Sequence, residues 1–287
     1  MRIYAYKQLI RVCDNHIKLL KYLIDNGLIK RAARCPKRNC RKNMRIVKDA
    51  SKRDNYKYKC PKCLTTQSIR KGSFFENSRL TIEEILCVTF CWAAKLSVQS
   101  TAIMATVGKN SVSQWFQFLR EKCSEALLQA DDYEFGGPGV VVQIDESLVA
   151  KRKYHVGREV NQQWVFGLYD TNTKRGHIEL VDDRKAETLL PIIQKYVKPG
   201  STIFSDQWAA YRDLQRLGYQ HYTVNHSQNF VDPVTGTCTN AIEAYWSRVK
   251  RNIRLHWLSR RDQLPLRIDE FLLRERLHSQ LYYIYAR

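Results

Sequence analysis

The sequence predicts an α/β protein. Its larger part should be a mixed five-stranded sheet with helices, preceded by a small cysteine-bearing module and a helical segment. Three observations carry this. The β-branched apolar runs Val140–Asp145 and Ser201–Asp206 each end on an acid. Two close cysteine pairs, Cys35/Cys40 and Cys60/Cys63, stand near the N-terminus. Residues 80–132 read as helical throughout. The expected divisions are residues 1–79, 80–132 and 133–287. The Gly136-Gly137-Pro138-Gly139 cluster marks the last boundary, since such punctuation breaks helix and strand alike.

Charge is distributed as the modules are. The net charge of the 287 residues is +20, with +17 in residues 1–79, −3 in residues 80–247 and +6 in residues 248–287. A surface that was merely soluble would not leave the middle acidic. A basic head and tail suit a polyanion, and nucleic acid is the expected partner. No apolar run reaches the roughly 18 residues of a membrane span, and no signal-peptide core opens the chain. A cytosolic or nuclear protein is expected: the nucleus in a eukaryote, the cytoplasm and its nucleoid in a bacterium. The nine cysteines, an odd number, do not suggest a disulfide framework.

In the first division a helix is expected near Ile17–Asn26, stopped by Gly27. Cys35 and Cys40, then Cys60 and Cys63 after nineteen intervening residues, have the spacing of two knuckles that gather four thiolates round a structural zinc. The alternating stretch Tyr56–Lys59 leads into the second knuckle, as in a zinc ribbon of about residues 34–68. With all four positions filled by protein, no place remains for substrate. The rim of Lys37, Arg38, Arg41, Lys42 and Lys62 points to DNA contact. Cys87 and Cys91, four apart on one helix face, read as core thiols, as do Cys13 and Cys123.

Within residues 80–132, a short helix over Ser97–Thr106, a turn over Val107–Asn110 and a longer helix after Ser111 have helix-turn-helix spacing. Its second helix either enters a major groove or belongs to an ordinary packed pair. Few positive charges lie on its exposed face.

The last division reads as strands over Val140–Asp145, Gln163–Tyr169 and His177–Val181, a helix over Lys185–Val197 and a strand over Ser201–Asp206. A helix over Trp208–Leu217, a strand over His221–Val224 and a helix over Ala241–Arg254 follow. This is the element order of a ribonuclease H-like fold, in which the first and fourth strands are neighbours. Asp145 and Asp206 then meet at one sheet edge, and Glu243, one turn into the last helix, closes the triangle. Three carboxylates at one point are tolerable with divalent cations between them. Hard oxygen ligands favour two magnesium or manganese ions, the arrangement that cuts phosphodiesters. Each acid also has a plainer reading. Asp145 can cap a turn, Asp206 can cap the Trp208 helix, and Glu243 can complete a capping box with Asn240. Glu146, on the opposite strand face, competes as a ligand. Asp170, Asp182 and Asp183 are expected to be solvated at hairpin ends.

Several long stretches resemble transposases of the Merlin superfamily and their bacterial insertion-sequence relatives. They are Gln143-Ile-Asp145-Glu-Ser, Lys151-Arg-Lys-Tyr-His-Val-Gly-Arg158, Phe204-Ser-Asp206-Gln-Trp-Ala-Ala-Tyr211, the run from Val224 to Gly236, and Thr239-Asn-Ala-Ile-Glu243-Ala-Tyr-Trp-Ser-Arg-Val-Lys250. The resemblance covers about residues 34–255. It implies an Asp-Asp-Glu transposase that binds terminal inverted repeats, hydrolyses the phosphodiester at each end and joins the freed 3′-hydroxyl to target DNA. It gives Asp145, Asp206 and Glu243 the metal-ligand roles and sets His226 near them, as a phosphate contact or proton carrier. Cys238 departs from the histidine usual just before the last motif.

Lys151, Arg152, Lys153 and Arg158 follow the first strand and suit a DNA backbone near the metals. Arg248, Lys250, Arg251 and Arg254 recur along the last helix and either track a phosphate strand or form a solvated basic face. For at least one of Trp246 and Tyr245, core packing is expected over base stacking. Partners expected are double-stranded DNA, from transposon ends and target, and a second copy of the chain, with no membrane. The alternatives are a domesticated DNA-binding protein that no longer cuts and a structure-specific nuclease without strand transfer.

Overall fold

The computed structural model describes residues 6–129, 134–150, 163–224, 236–254 and 263–277. They form two compact units, residues 6–122 and residues 123–277. Among the described residues no helix is long and apolar enough to cross a membrane.

The first unit opens with helices α1 (Tyr6–Cys13) and α2 (His16–Asp25). The Asn15 side chain caps α2 by accepting the amides of Ile17 and Lys18. Gly27, at φ +69°, ends it, and the amide of Leu28 reaches back to the Leu23 carbonyl. Strands β1 (Ala32–Arg34), β2 (Asn43–Lys48), β3 (Tyr56–Lys59) and β4 (Thr66–Ser68) pair in that order into an antiparallel sheet. Met44 and Tyr58 point inward from it and share a core with Leu19, Leu23, Ile69, Phe75 and Ile85.

Helix α3 (Ile82–Ala93) starts at a capping box between Thr81 and Glu84, and α4 (Val98–Ala105) at a cap by Ser97. Cys91 and Cys123 are buried, and Cys13 and Cys87 pack half-buried against the core, as four apolar thiols should. Thr106 takes the left-handed conformation and turns the chain at once. Helix α5 (Lys109–Gln129) therefore starts two residues before Ser111. Its first turn already bonds the Val112 amide to the Gly108 carbonyl, so Ser111 lies inside the helix.

In the second unit a short strand β5 (Phe135–Gly136) precedes β6 (Val141–Ala150), β7 (Gln163–Asp170) and β8 (Arg175–Val181). Then come α6 (Ala186–Tyr196), β9 (Val197–Lys198), β10 (Thr202–Asp206), β11 (Gln220–Val224), α7 (Asn240–Arg254) and α8 (Leu264–Arg276). The main sheet runs β11-β10-β6-β7-β8. The β6–β7 and β7–β8 pairs are antiparallel, and the β6–β10 and β10–β11 pairs are parallel. This is the ribonuclease H-like order expected, with the first and fourth long strands side by side.

Strand alternation divides the core between two faces. Val142, Ile144, Phe166 and Leu168 meet Leu189 and Ile193 of α6 on one. Val165 and Ile178 meet Ile242, Tyr245, Trp246 and Val249 of α7 on the other, closed by Ile268 and Phe271 of α8. The two aromatics of α7 press so close that the sheet carries glycine beneath each. A Cβ at Gly167 would lie 2.6 Å from the Trp246 ring, and one at Gly176 would lie 2.4 Å from that of Tyr245.

Two expectations are corrected. Only a 3-10 turn, Ala209–Tyr211, stands where a helix over Trp208–Leu217 was expected. The amides of Tyr211, Arg212 and Leu214 bond three residues back, and Gly218 leaves the segment at φ +88°. Asp170 is buried, not solvated. It accepts the amides of Gly136, Asn172 and Thr173, which satisfy its charge at the β7–β8 turn. Asp183 accepts the Lys185 amide and the Thr188 hydroxyl at the start of α6, and Asp182 is exposed.

Gly167→Ala should destabilise the protein by about 1–3 kcal/mol through overpacking against Trp246. Gly108→Ala, which meets no atom within 4 Å, should be nearly neutral. Urea unfolding of the two variants beside the parent checks this, and equal midpoints would refute the close approach.

Candidate active site

Asp206 ends β10 and Glu243 lies in the first turn of α7, whereas the strand expected to end at Asp145 runs on to Ala150, so Asp145 stands in the middle of β6. Thr202, Ile203 and Phe204 of β10 pair with Val141, Val142 and Gln143 of β6. Two residues farther along these parallel strands stand Asp206 and Asp145, at the same level. Parallel strands bring like ends together, which an antiparallel neighbour cannot do. Asp145 faces α7, because its strand neighbours Ile144 and Glu146 face α6. Opposite it across the β6–β7 ladder is Gly167, over which Trp246 lies. Trp246 donates its indole N–H to Asp145 Oδ2 at 2.9 Å.

Gln143, almost wholly buried between the apolar Val142 and Ile144, accepts the Ile242 amide at 3.0 Å and so seats the first turn of α7 on the sheet. Glu243 follows in that turn. The Thr239 hydroxyl donates to Glu243 Oε1 at 3.3 Å, and the Trp208 amide donates to Asp206 Oδ1 at 3.0 Å. One oxygen of each acid is thus held by a neighbour. The capping-box role expected for Glu243 with Asn240 does not occur, because α7 begins at Asn240 itself.

Burial pushes the Asp145 carboxyl up to about 6. The Trp246 bond opposes the rise, and the charges of Asp206 and Glu243 add to it. Asp206 and Glu243 therefore each lie within electrostatic reach of Asp145. Glu146 lies on the other sheet face, as expected, and accepts the hydroxyl of the buried Tyr211. Burial raises it to about 7, against the Tyr211 bond and with help from the charges of Asp145 and Asp206. The donor set Asp145, Asp206 and Glu243 is all oxygen, which fits magnesium or manganese.

The four cysteines converge as their spacing requires. Cys35 and Cys63 sulfurs are 3.4 Å apart and those of Cys40 and Cys60 3.5 Å apart. Thiolates about 2.3 Å from one zinc would stand about 3.8 Å apart. Among the described residues these sulfurs are the one set of three or more candidate ligand atoms all within 4.8 Å of one another, so the three acids are spaced more widely. Arg41 and Leu64, each just after the second cysteine of its knuckle, take left-handed φ values of 44° and 59° and fold the loops back. The Thr65 hydroxyl and amide lower the Cys63 thiol to about 6, and the amides of Cys63 and Lys62 lower Cys60. Burial raises Cys35. Lys37, Arg38, Arg41, Lys42 and Lys62 are all exposed round the cluster.

Arg248 is exposed but engaged. It pairs with Glu275 at 3.3 Å and lies over the Tyr245 ring at 5.2 Å. Arg251 is exposed and Lys250 half-buried. Tyr245 and Trp246 are both buried, as packing residues. Cys238 is half-buried. Lys151, Arg152, Lys153, Arg158 and His226, with the side chain of Arg254, lie outside the described residues.

Sequence reasoning missed Gln143, Gly167 and Tyr211 as parts of this edge. Gln143 carried a signal, being a polar residue two before Asp145 and on the same strand face. Gly167 and Tyr211 carried none without the register.

Raised above its unfolded value of 3.8, the Asp145 carboxyl favours folding while protonated, and this contribution is lost as pH rises through about 6. Asp145→Asn can still accept the Trp246 bond. In magnesium-free buffer it should melt higher than the parent at pH 8, with the gap closing towards pH 4. A gap independent of pH would show that Asp145 is not buried as described.

Residues 134–275 match the family model described as the ISXO2-like transposase domain. A transposase-like protein of Haemophilus influenzae is 32% identical over 75 residues, a stretch covering 26% of this chain and 59% of that protein. This chain thus spans about three fifths of the length of that relative. Among solved structures, the catalytic core of BIV integrase is 13% identical with a TM-score of 0.32, over 47% of this chain and 80% of that one. The HTLV-2 integrase catalytic core, solved in complex with magnesium, is 15% identical with the same TM-score, over 48% and 85%.

Proposed function

We propose that this chain, whose residues 134–275 match the ISXO2-like transposase domain, is an insertion-sequence transposase that cuts and joins DNA at the edge carrying Asp145, Asp206 and Glu243. One observation carries the reading. Asp145 and Asp206 stand at one level on two adjacent parallel strands, just past their paired stretch, and the Gln143–Ile242 and Trp246–Asp145 bonds bring the Glu243 helix to the same place.

Two divalent ions bound by these acids would activate the attacking oxygen and stabilise the leaving one. In the first step a water oxygen attacks the phosphorus at a transposon end, and the 3′-oxygen leaves as the hydroxyl. In the second, that 3′-hydroxyl attacks a target phosphodiester and displaces its 3′-oxygen. The chain's own part is orientation. Bonds from Trp246, Thr239 and Trp208 turn the carboxylates, and the packed sheet and α7 hold them against their mutual repulsion. His226 is a candidate phosphate contact or proton carrier here.

The exposed cations of the knuckles suit the phosphates of terminal inverted repeats. Lys151, Arg152, Lys153 and Arg158 suit the DNA near the acids, and Arg251 and Arg254 the strand along α7. Two ends must be cut together, so the working form is a dimer or larger. The four cysteines hold a structural zinc.

With magnesium, the parent should nick and join DNA carrying the inverted repeats that flank its coding sequence, and Asp206→Asn should lose at least about a thousandfold of that rate. Equal activity in both would sink the assignment of Asp206, and binding without cutting by the parent would point to a DNA-binding protein alone. Separately, the purified protein should carry one zinc per chain by metal analysis. Cys60→Ser should lose it and unfold the first unit. Full zinc content in that variant would rule out the cysteine site.

A further inference from the structure

Beside the acids stands an aromatic group that core packing does not explain. Trp208, two residues after Asp206, is 39% exposed. Its position is nevertheless fixed at three points. Its amide bonds Asp206 Oδ1 at 3.0 Å, and its indole N–H bonds the Arg184 carbonyl at 2.9 Å. Its ring lies against the Arg184 guanidinium, whose carbon is 4.3 Å from the ring centroid. The same guanidinium carbon is 4.2 Å from the ring centroid of Trp164, so a second indole braces Arg184. Arg184 also acts on the charge of Glu146, which places the group at the acid edge.

A large exposed apolar ring gains from being covered, and one already held still loses little freedom when it is. The 3-10 turn that replaces the expected helix after Asp206 is what presents it.

We propose that Trp208, braced by Arg184 and Trp164, is a stacking platform for an unpaired nucleobase next to the phosphodiester being cut. This rests on the DNA-cutting reading above. A phosphate inside an intact duplex reaches three convergent carboxylates only if its backbone is drawn aside, and drawing it aside opens the neighbouring pair at a cost of a few kcal/mol. Stacking on an aromatic face returns about 1–3 kcal/mol per base and accepts any base, because every base has a π-face. Arg184 places a positive charge behind that face, where it attracts the adjoining phosphate.

The test uses the full chain without divalent ions, so that nothing is cut. Fluorescence anisotropy compares a short blunt duplex with the same duplex unpaired over its last few positions, one of them 2-aminopurine. The parent should bind the opened duplex roughly tenfold more tightly, with quenching of the 2-aminopurine. Trp208→Ala should bind the blunt duplex as the parent does, which shows that it is folded, and should lose both the preference and the quenching. Trp208→Phe should keep most of each. Equal binding of the two duplexes by the parent, or an undiminished preference in Trp208→Ala, overturns the platform while leaving the cutting reading intact. Failure of the parent to bind either duplex overturns both.

Discussion

The parallel pairing of β6 with β10 is the constraint on which the acid edge depends. Two strands far apart in sequence each carry an aspartate two residues past their paired stretch, and parallel pairing sets those residues at one level. The antiparallel partner β7 then decides what lies beside Asp145. Its register sets Gly167 there, and the missing side chain leaves room for Trp246. Trp246 belongs to the helix that carries Glu243, so the ladder that aligns the two aspartates also fixes the approach of the glutamate.

Magnitudes show which part of this arrangement bears the strain. Two ionised carboxylates some 5 Å apart repel by about 3 kcal/mol at an effective dielectric near 20. A single orienting hydrogen bond contributes about 0.5–1.5 kcal/mol net. Each of the bonds from Trp246, Thr239 and Trp208 is thus weaker than the repulsion of one such pair, so they aim the acids more than they hold them. The holding force is apolar. Ile242, Tyr245, Trp246 and Val249 are buried against the sheet on one face, and α6 closes the other. Each such side chain contributes about 1.5–3 kcal/mol by burial. The Asp145 carboxyl is raised mainly by that burial, and the charges of Asp206 and Glu243 add to the rise.

The features that were legible in the sequence are those whose cause is local. An apolar β-branched run, a cysteine knuckle and a glycine stop after α2 each carry their own physics, and each lies where it was read, although the first strand runs five residues past the acid at which it was expected to end. The unread features have causes elsewhere in the chain. Nothing near Asp170 announces that the amide of Gly136 will reach it. The stretch from Trp208 to Leu217 has helical composition, yet the Trp208 indole is committed to the Arg184 carbonyl, 24 residues away. That tertiary bond competes with a weak local preference. Gln143 was the exception, a legible signal left unread, since a lone polar residue in a buried strand requires a buried partner.

The cysteine module follows the same division between holding and presenting. Its sheet has strands of only three to six residues, too short to bury a core alone. Met44 and Tyr58 enter a core shared with Leu19, Leu23 and Ile85, and the Tyr58 hydroxyl donates to the Lys30 carbonyl at 2.5 Å. Helices therefore secure one end of the sheet. Cys35 and Cys60 join that core, with Cys40 and Cys63 packed against it, so the knuckles are fixed by packing as well as by four thiols within 4.8 Å. The cations ride on those knuckles, on short loops closed by left-handed residues. A flexible basic tail would lose conformational freedom on meeting a phosphate backbone. Cations on loops already fixed by four sulfurs lose far less, so a metal-pinned tip is the economical place for a basic surface directed at DNA.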